Sequence, residues 1–104
     1  MVLSSGEELF VLHCKAYKLT PEREYRFDKM RRWKADFFFA PNLLVEIEGG
    51  TGINGRHNRA KGYSDDCCKY NQATEMGFRI LRFTSEMVVN GTAIDTTLRV
   101  LAGK

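Results

Sequence analysis

Apolar residues near the start of the chain recur every three to four positions, which is the spacing of a helix that buries one face. This pattern covers Leu9–Leu19. Ser5 and Glu8 have the spacing of a capping box at the first turn, and Thr20-Pro21 follows the last apolar residue. The sequence therefore predicts a first helix that ends before residue 20.

Three strand signals come next along the chain. A short one covers residues 23–27, an aromatic-rich one covers 32–40 (RWKADFFFA), and a largely aliphatic one covers 43–48 (LLVEIE). Only Pro41-Asn42 separates the second segment from the third, and this dipeptide is a turn signal. Because apolar residues occupy both faces in the second and third segments, we expect these two strands at the centre of a mixed sheet.

The rest of the chain alternates between loop, helix and strand signals. In order, the predicted elements are a loop at 49–61, a helix from Ser64 to about 76, a strand at 78–83, a helical turn from 84 and a last helix at 92–102. Three strands would form an antiparallel meander, and the middle helix would carry the chain by a right-handed crossover to a parallel fourth strand. We therefore expect a single α/β domain over residues 1–104, with an αβββαβ core and a mixed four-stranded sheet flanked by helices.

Carboxylates interrupt the two most apolar of these strands. Glu46 and Glu48 are two residues apart and point to the same side of their strand, and Asp36 lies between Ala35 and Phe37 on the neighbouring strand. Burying acids among apolar side chains is costly unless a cation compensates them. Such an oxygen-rich group suits Mg2+ or Mn2+, so the three acids are candidate metal ligands. The alternative is an edge sheet whose carboxylates face solvent or pair with Arg and Lys.

The turn between these strands decides whether the acids can meet. A strict two-residue turn would pair Ala40 with Leu43 and set Asp36 opposite Ile47, on the face away from the two glutamates. We therefore predict a bulge or an odd-length turn in this hairpin.

Basic residues flank the acids along the chain. The net charge is +3, yet residues 15–34 hold eight Lys and Arg against three acids, and a second basic group lies at 56–61. A site that cuts a phosphodiester needs acids to hold a metal and basic residues to hold the polyanion. The alternative is that these basic residues form an ordinary solvated surface. The candidate nucleic-acid contacts are Arg31, Arg32, Lys34, Arg56, Arg59 and Lys61.

Other classes of protein find little support in the sequence. Cys14, Cys67 and Cys68 lack the spacing of a disulfide framework or a zinc site, so we expect free thiols that are at least half buried. No apolar run reaches the roughly 18 residues of a membrane span, and the N-terminus does not resemble a signal peptide. These features predict a cytoplasmic protein without a membrane partner.

Five ordered motifs carry a resemblance to a known group: REYRF, WKADFFFAP, LLVEIEGG, GRHNRAKGYSDDCCKYN and GFRILRF, over about residues 23–85. Together they resemble the compact branch of the PD-(D/E)xK nucleases, which is related to very-short-patch-repair endonucleases and to small nucleases of phages and mobile elements. The resemblance implies a restriction-endonuclease-like αβββαβ core and metal-dependent hydrolysis of phosphodiester bonds.

The resemblance also implies roles for the acids. Asp36 is similar in position to the family's first metal-binding acid, and Glu46 to the acid of the (D/E)xK element. Glu48 stands where that element usually has lysine, and it could position or deprotonate the attacking water. The missing cation would then be the metal, a loop arginine, or Lys69 on the next helix.

Two further residues complete the candidate catalytic group. His57 could act as acid or base near neutral pH, although a loop histidine is often simply exposed. For Lys69, the alternative is a surface salt bridge with Asp65 or Asp66 on the same helix. The candidate catalytic residues are thus Asp36, Glu46, Glu48, His57 and Lys69.

These observations favour a Mg2+- or Mn2+-dependent endodeoxyribonuclease acting on duplex, nicked or branched DNA. One alternative is a non-catalytic module of the same fold that binds nucleic acid or a protein partner, which the glutamate at position 48 favours. Another is a structural or regulatory protein of a mobile element. The small surface favours nicking or structure-selective cutting, or reliance on a homodimer or a partner protein.

Overall fold

The elements of the computed structural model, which describes residues 5–48 and 59–103, follow the predicted order. Their bounds are α1 Ser5–Ala16, β1 Glu22–Tyr25, β2 Ala35–Phe39, β3 Leu43–Glu48, α2 Arg59–Glu75, β4 Arg79–Thr84, α3 Ser85–Val89 and α4 Thr92–Leu101. The prediction of an α/β fold with a mixed four-stranded sheet and flanking helices is confirmed.

One sheet with the strand order β1-β2-β3-β4 organises the described residues. The first three strands are antiparallel, and β4 runs parallel to β3 from Leu43–Arg79 to Glu48–Thr84. Helix α2 lies in the connection between these two parallel strands. The predicted meander and parallel fourth strand are confirmed, and the reason is general: short turns join antiparallel neighbours, whereas a parallel partner requires a long connection.

The hairpin between β2 and β3 has a three-residue turn. Phe39 pairs with Leu43, so residues 40–42 form the turn. The predicted odd-length turn is therefore confirmed. The pairing ends at Phe37–Val45, so Asp36 and Glu46 are the next residues of their strands beyond the last pair.

Side chains of β3 alternate between two hydrophobic cores. Val45 and its odd-numbered neighbours pack with Phe10 of α1 and Val88 of α3. On the other face, Leu44 belongs to a second core with Ala73 of α2. The strand is thus buried on both faces, as its apolar run predicted.

Helix α1 ends three residues earlier than its apolar spacing predicts. Lys18 has a positive φ of 61°. The N–H groups of Lys18 and Leu19 donate to the carbonyl oxygens of Lys15 and Cys14, at 3.0 and 2.8 Å. This is a Schellman motif, in which a left-handed residue caps the last carbonyls of a helix. Leu19 continues the apolar pattern after the helix has ended because it packs against the same core.

Helix α2 begins earlier than expected, at Arg59 instead of Ser64. The end of the predicted loop at 49–61 is therefore wrong, while residues 49–58 lie outside the described part of the chain. Arg, Ala and Lys at positions 59–61 are good helix formers, and the single Gly62 costs only about 1 kcal/mol relative to alanine.

The three thiols are free, as predicted, but their burial differs. Cys14 is buried, and burial raises the pKa of its thiol to about 11. Cys67 and Cys68 are exposed, so the expectation of half-buried thiols is wrong for this pair. Their positions fall on the side of α2 that faces away from Ala73 and the sheet. No helix within residues 5–48 and 59–103 is long and apolar enough to cross a membrane.

Candidate active site

Glu46 belongs to β3 and contacts α2, and its side chain is only 12% exposed. Its Oε2 accepts a hydrogen bond from Lys69 Nζ at 2.7 Å, and its Oε1 accepts one from the hydroxyl of Tyr70 at 2.7 Å. The side chain of Lys69 is itself 16% exposed. Both carboxylate oxygens therefore have a partner, which an acid buried at this depth requires.

Consecutive residues of α2 supply both partners of Glu46. Ala73 follows them by one turn and is fully buried in the core that contains Leu44. Ala73 is also the one buried residue of α2 among those whose side chains are described. The contacts of Lys69 and Tyr70 with Glu46 thus contribute directly to the docking of this polar helix on the sheet.

Arg82 of β4 connects this cluster to Glu48. Its Nε donates to Glu48 Oε2 at 2.8 Å, and its guanidinium carbon lies 4.4 Å from the centroid of the Tyr70 ring. The hydrogen bond to Glu48 raises the pKa of Arg82. Burial, together with the hydrogen bond to Glu46, raises the pKa of Tyr70, so its hydroxyl keeps the proton that it donates.

Asp36 lies where the pairing of β2 with β3 ends. The last pair in this direction is Phe37–Val45, and beyond it Asp36 Oδ2 accepts a hydrogen bond from the backbone N–H of Ile47 at 2.8 Å. The Asp36 carboxylate therefore reaches the β3 backbone next to Glu46 instead of pointing into solvent.

The surroundings of Asp36 disfavour its negative charge. Burial is the main reason that the pKa of this carboxyl is raised, and the charges of Glu7 and Glu24 add to the effect. The N–H of Ile47 and the ammonium of Lys69 act in the opposite direction. A desolvated acid close to other acids is a position where a bound cation relieves an unfavourable interaction.

The structure brings the three predicted acids to one end of the β2–β3 hairpin. Asp36 and Glu46 lie next to the last pair, Phe37–Val45, and Glu48 lies on the same side of β3 as Glu46. Each glutamate is turned toward a cation, Lys69 or Arg82. In this arrangement no group of three or more His, Cys, Asp and Glu within the described residues could hold a metal ion.

Sequence reasoning placed Lys69 near the acids but missed Tyr70 and Arg82. The signal for Arg82 is present in the sequence, since it lies between the apolar residues Leu81 and Phe83, and the parallel register sets it beside Glu46. Tyr70 directly follows Lys69 in the chain, and no pattern in the sequence indicates that its hydroxyl donates a hydrogen bond to Glu46.

The other predicted contacts divide into three groups. His57 and Arg56 lie outside the described residues. Arg59 and Lys61 belong to the first turn of α2, where the structure describes their backbone alone. The remaining basic residues, Arg31, Arg32 and Lys34, are exposed in the connection between β1 and β2.

The sequence matches no protein-family model and no curated protein. Among solved structures, the chain is similar to the catalytic domain of the homing endonuclease I-Bth0305I, with a TM-score of 0.65 over 90% of this chain and 89% of that one. The sequence identity is 12%, so the similarity is one of fold. The fold of this chain is therefore one that an endonuclease catalytic domain also has.

Proposed function

We propose that this protein is a metal-dependent DNA endonuclease of the PD-(D/E)xK type, related to very-short-patch-repair enzymes, with Asp36, Glu46 and Glu48 as its acids. One observation carries the proposal: Asp36 and Glu46 lie directly beyond the last residue pair of the two central strands, where burial raises the pKa of Asp36 and the side chain of Glu46 is only 12% exposed. Acids that served only solubility would lie on the surface. The similarity of fold to an endonuclease catalytic domain supports the same conclusion.

The chemistry of these donors fits Mg2+ or Mn2+. Both ions prefer carboxylate oxygens, and Asp36 retains an oxygen that is not bonded to Ile47. When bound, the metal supplies a polarised water and neutralises charge on the phosphate. For Glu46 to become a ligand, Lys69 must release Oε2, which its long, flexible side chain permits.

The residues around the acids have separate roles in this proposal. The hydrogen bond from Tyr70 to Oε1 of Glu46 would hold the carboxylate in place if Lys69 released Oε2. The released ammonium of Lys69 would then be available to stabilise a phosphate oxygen, which is the task that lysine performs in the (D/E)xK element. Arg82 holds Glu48 beside the same site.

Cleavage of supercoiled plasmid in Mg2+ or Mn2+ tests the proposal. We expect the wild type to nick or linearise the DNA, no cleavage in EDTA, and a loss of at least about a hundredfold in Glu46→Ala. Glu75→Ala, an exposed acid of α2, is the matched control and should cleave like the wild type. Failure of the wild type to cut duplex, nicked or branched DNA with either metal would refute the proposal.

The second candidate function is a nucleic-acid-binding or partner-binding module that does not cut. It is favoured by the fact that Lys69 and Tyr70 occupy both oxygens of Glu46. This candidate predicts DNA binding that is unchanged in Glu46→Ala, together with no cleavage by either protein.

Glu48→Gln separates a role in the reaction from a role in stability. The Glu48–Arg82 pair is exposed, with side chains 41% and 46% accessible, so its loss should lower the free energy of unfolding by no more than about 1 kcal/mol. Cleavage should nevertheless fall about a hundredfold or more if Glu48 positions or deprotonates water. Urea denaturation and plasmid cleavage of the same preparation measure the two effects. Wild-type cleavage by Glu48→Gln would remove Glu48 from the proposed site.

A further inference from the structure

The loop formed by residues 28–31, between β1 and β2, is held in one conformation by its own polar groups. Asp28 is buried, and its Oδ1 accepts a hydrogen bond from the N–H of Met30 at 2.9 Å. The carbonyl oxygen of Asp28 accepts one from the N–H of Arg31 at 3.3 Å. Arg26 donates to two further backbone oxygens of the loop, both at 3.3 Å. The loop is therefore ordered before any partner binds.

Met30 projects from the tip of this loop and is 91% exposed. A single exposed apolar side chain is ordinary by itself. Here, however, Lys29 and Arg31 flank it, and the guanidinium carbon of Arg31 lies 4.8 Å from the centroid of the Trp33 ring. An apolar side chain presented between cations on an ordered loop is typical of surfaces that bind nucleic acid and touch its bases.

Behind the loop, Arg26, Arg32 and Lys34 line a cavity of about 340 Å³. Three like charges around one cavity repel each other unless an anion lies between them. Glu24 offsets part of this charge, since its Oε1 lies 3.0 Å from Lys34 Nζ. That ion pair is exposed on both sides and therefore weak, so an anion with several oxygens can compete for Lys34.

We propose that this cavity binds a phosphate of the DNA backbone and that Met30 contacts the sugars or bases beside it. The proposal rests on the proposed function, because DNA is the partner in both. Lys34 precedes Asp36 by two residues, roughly 7 Å along an extended chain, so the phosphate in the cavity lies on the same stretch of DNA as the phosphate at the acids. The cavity would thereby set which bond reaches the acids.

Salt-dependent binding of a short, labelled DNA duplex in EDTA tests this site without cleavage. We expect Arg32→Gln and Lys34→Gln each to weaken binding about three- to tenfold and to reduce the slope of log K against log salt by about one phosphate contact. Arg99→Gln removes the same charge from α4 and should leave affinity and slope unchanged. Arg26 is left intact, because its hydrogen bonds hold the loop.

Met30 requires a different readout, because it carries no charge. Met30→Ser should lower the affinity about threefold or more without changing the salt slope, whereas Met30→Leu should bind like the wild type. An unchanged affinity in Met30→Ser would remove Met30 from the site. Thermal melts of all variants should match the wild type, since these side chains are exposed.

The outcomes separate this proposal from the proposed function. Wild-type slopes in Arg32→Gln and Lys34→Gln, in a protein that binds and cuts DNA, would overturn the phosphate site alone. Reduced slopes in a protein that never cuts would support the phosphate site and refute the nuclease. A wild type that cuts DNA with Mg2+ or Mn2+ but does not bind it in EDTA would overturn the phosphate site alone.

Discussion

Replacing Asp36 by asparagine is expected to lower DNA cleavage at least about a hundredfold while raising the thermal stability of the protein at neutral pH. The asparagine side-chain oxygen can still accept the hydrogen bond from Ile47. It carries no charge, so the burial cost and the repulsion from Glu7 and Glu24 disappear. A substitution that lowers activity often raises stability when it removes a destabilising group from an active site.

The sign of the pH dependence follows from the raised pKa of Asp36. Below the ordinary value of 3.8 the carboxyl is protonated in both the folded and the unfolded chain, and the substitution changes little. Between that value and the raised pKa, the folded chain binds more protons than the unfolded one, so rising pH lowers the stability of the wild type. The variant should therefore gain its advantage as pH rises through this window and keep it above.

Thermal melts of the two proteins in EDTA, from acidic to neutral pH, measure this difference. Asp66→Asn, an exposed acid of α2, is the matched control and should melt like the wild type at every pH. A lower melting temperature for Asp36→Asn at neutral pH would show that the Asp36 charge stabilises the fold and would contradict the conclusion that its surroundings disfavour that charge.

Replacing Lys69 by methionine is expected to have the largest effect on stability, a loss of about 3 kcal/mol in the absence of divalent cations. Methionine fills a similar volume but leaves Oε2 of the buried Glu46 without its partner at 2.7 Å. Removal of one member of a buried pair is costly because the other charge stays in place. Lys15→Met, on the exposed side of α1, is the control and should change stability little.

Added Mg2+ should restore part of this loss. Without Lys69, Glu46 is free to bind a cation, and a ligand that binds the folded chain stabilises it by mass action. Urea denaturation of wild type and variant with and without Mg2+ provides the comparison, with the larger gain expected in the variant. A loss below about 1 kcal/mol, or an equal response to Mg2+, would show that the pair behaves like an exposed one and that Glu46 does not bind metal there.

The two glutamates illustrate what strand patterning can predict. Their two-residue spacing places them on one face of β3, and this follows from strand geometry alone. Whether Asp36 can lie near Glu46 depends on one more quantity, the length of the turn. The requirement that the acids meet predicted a bulge or an odd number of turn residues, and the turn of residues 40–42 has three.

The partners of the acids were much harder to predict. Tyr70 reaches Glu46 from 24 residues further along the chain, and Arg82 reaches Glu48 from 34. Such contacts depend on how α2 lies over the sheet and on the register of β4. The sequence pattern offered Lys69 a local partner within its helix, whereas the structure gives it Glu46 across the interface between helix and sheet.

The sequence by itself determined the order of helices and strands, the apolar faces of the central strands and the positions of acids within them. Hydrophobic periodicity carries this information because the spacing of apolar residues differs between helices and strands and identifies the face that is buried. Tertiary structure alone decided where α1 ends, how early α2 begins, which cation faces each acid and how Arg26, Arg32 and Lys34 come to line one cavity. These features depend on side chains that are distant in sequence and meet only when the sheet, its helices and its connecting loop pack together.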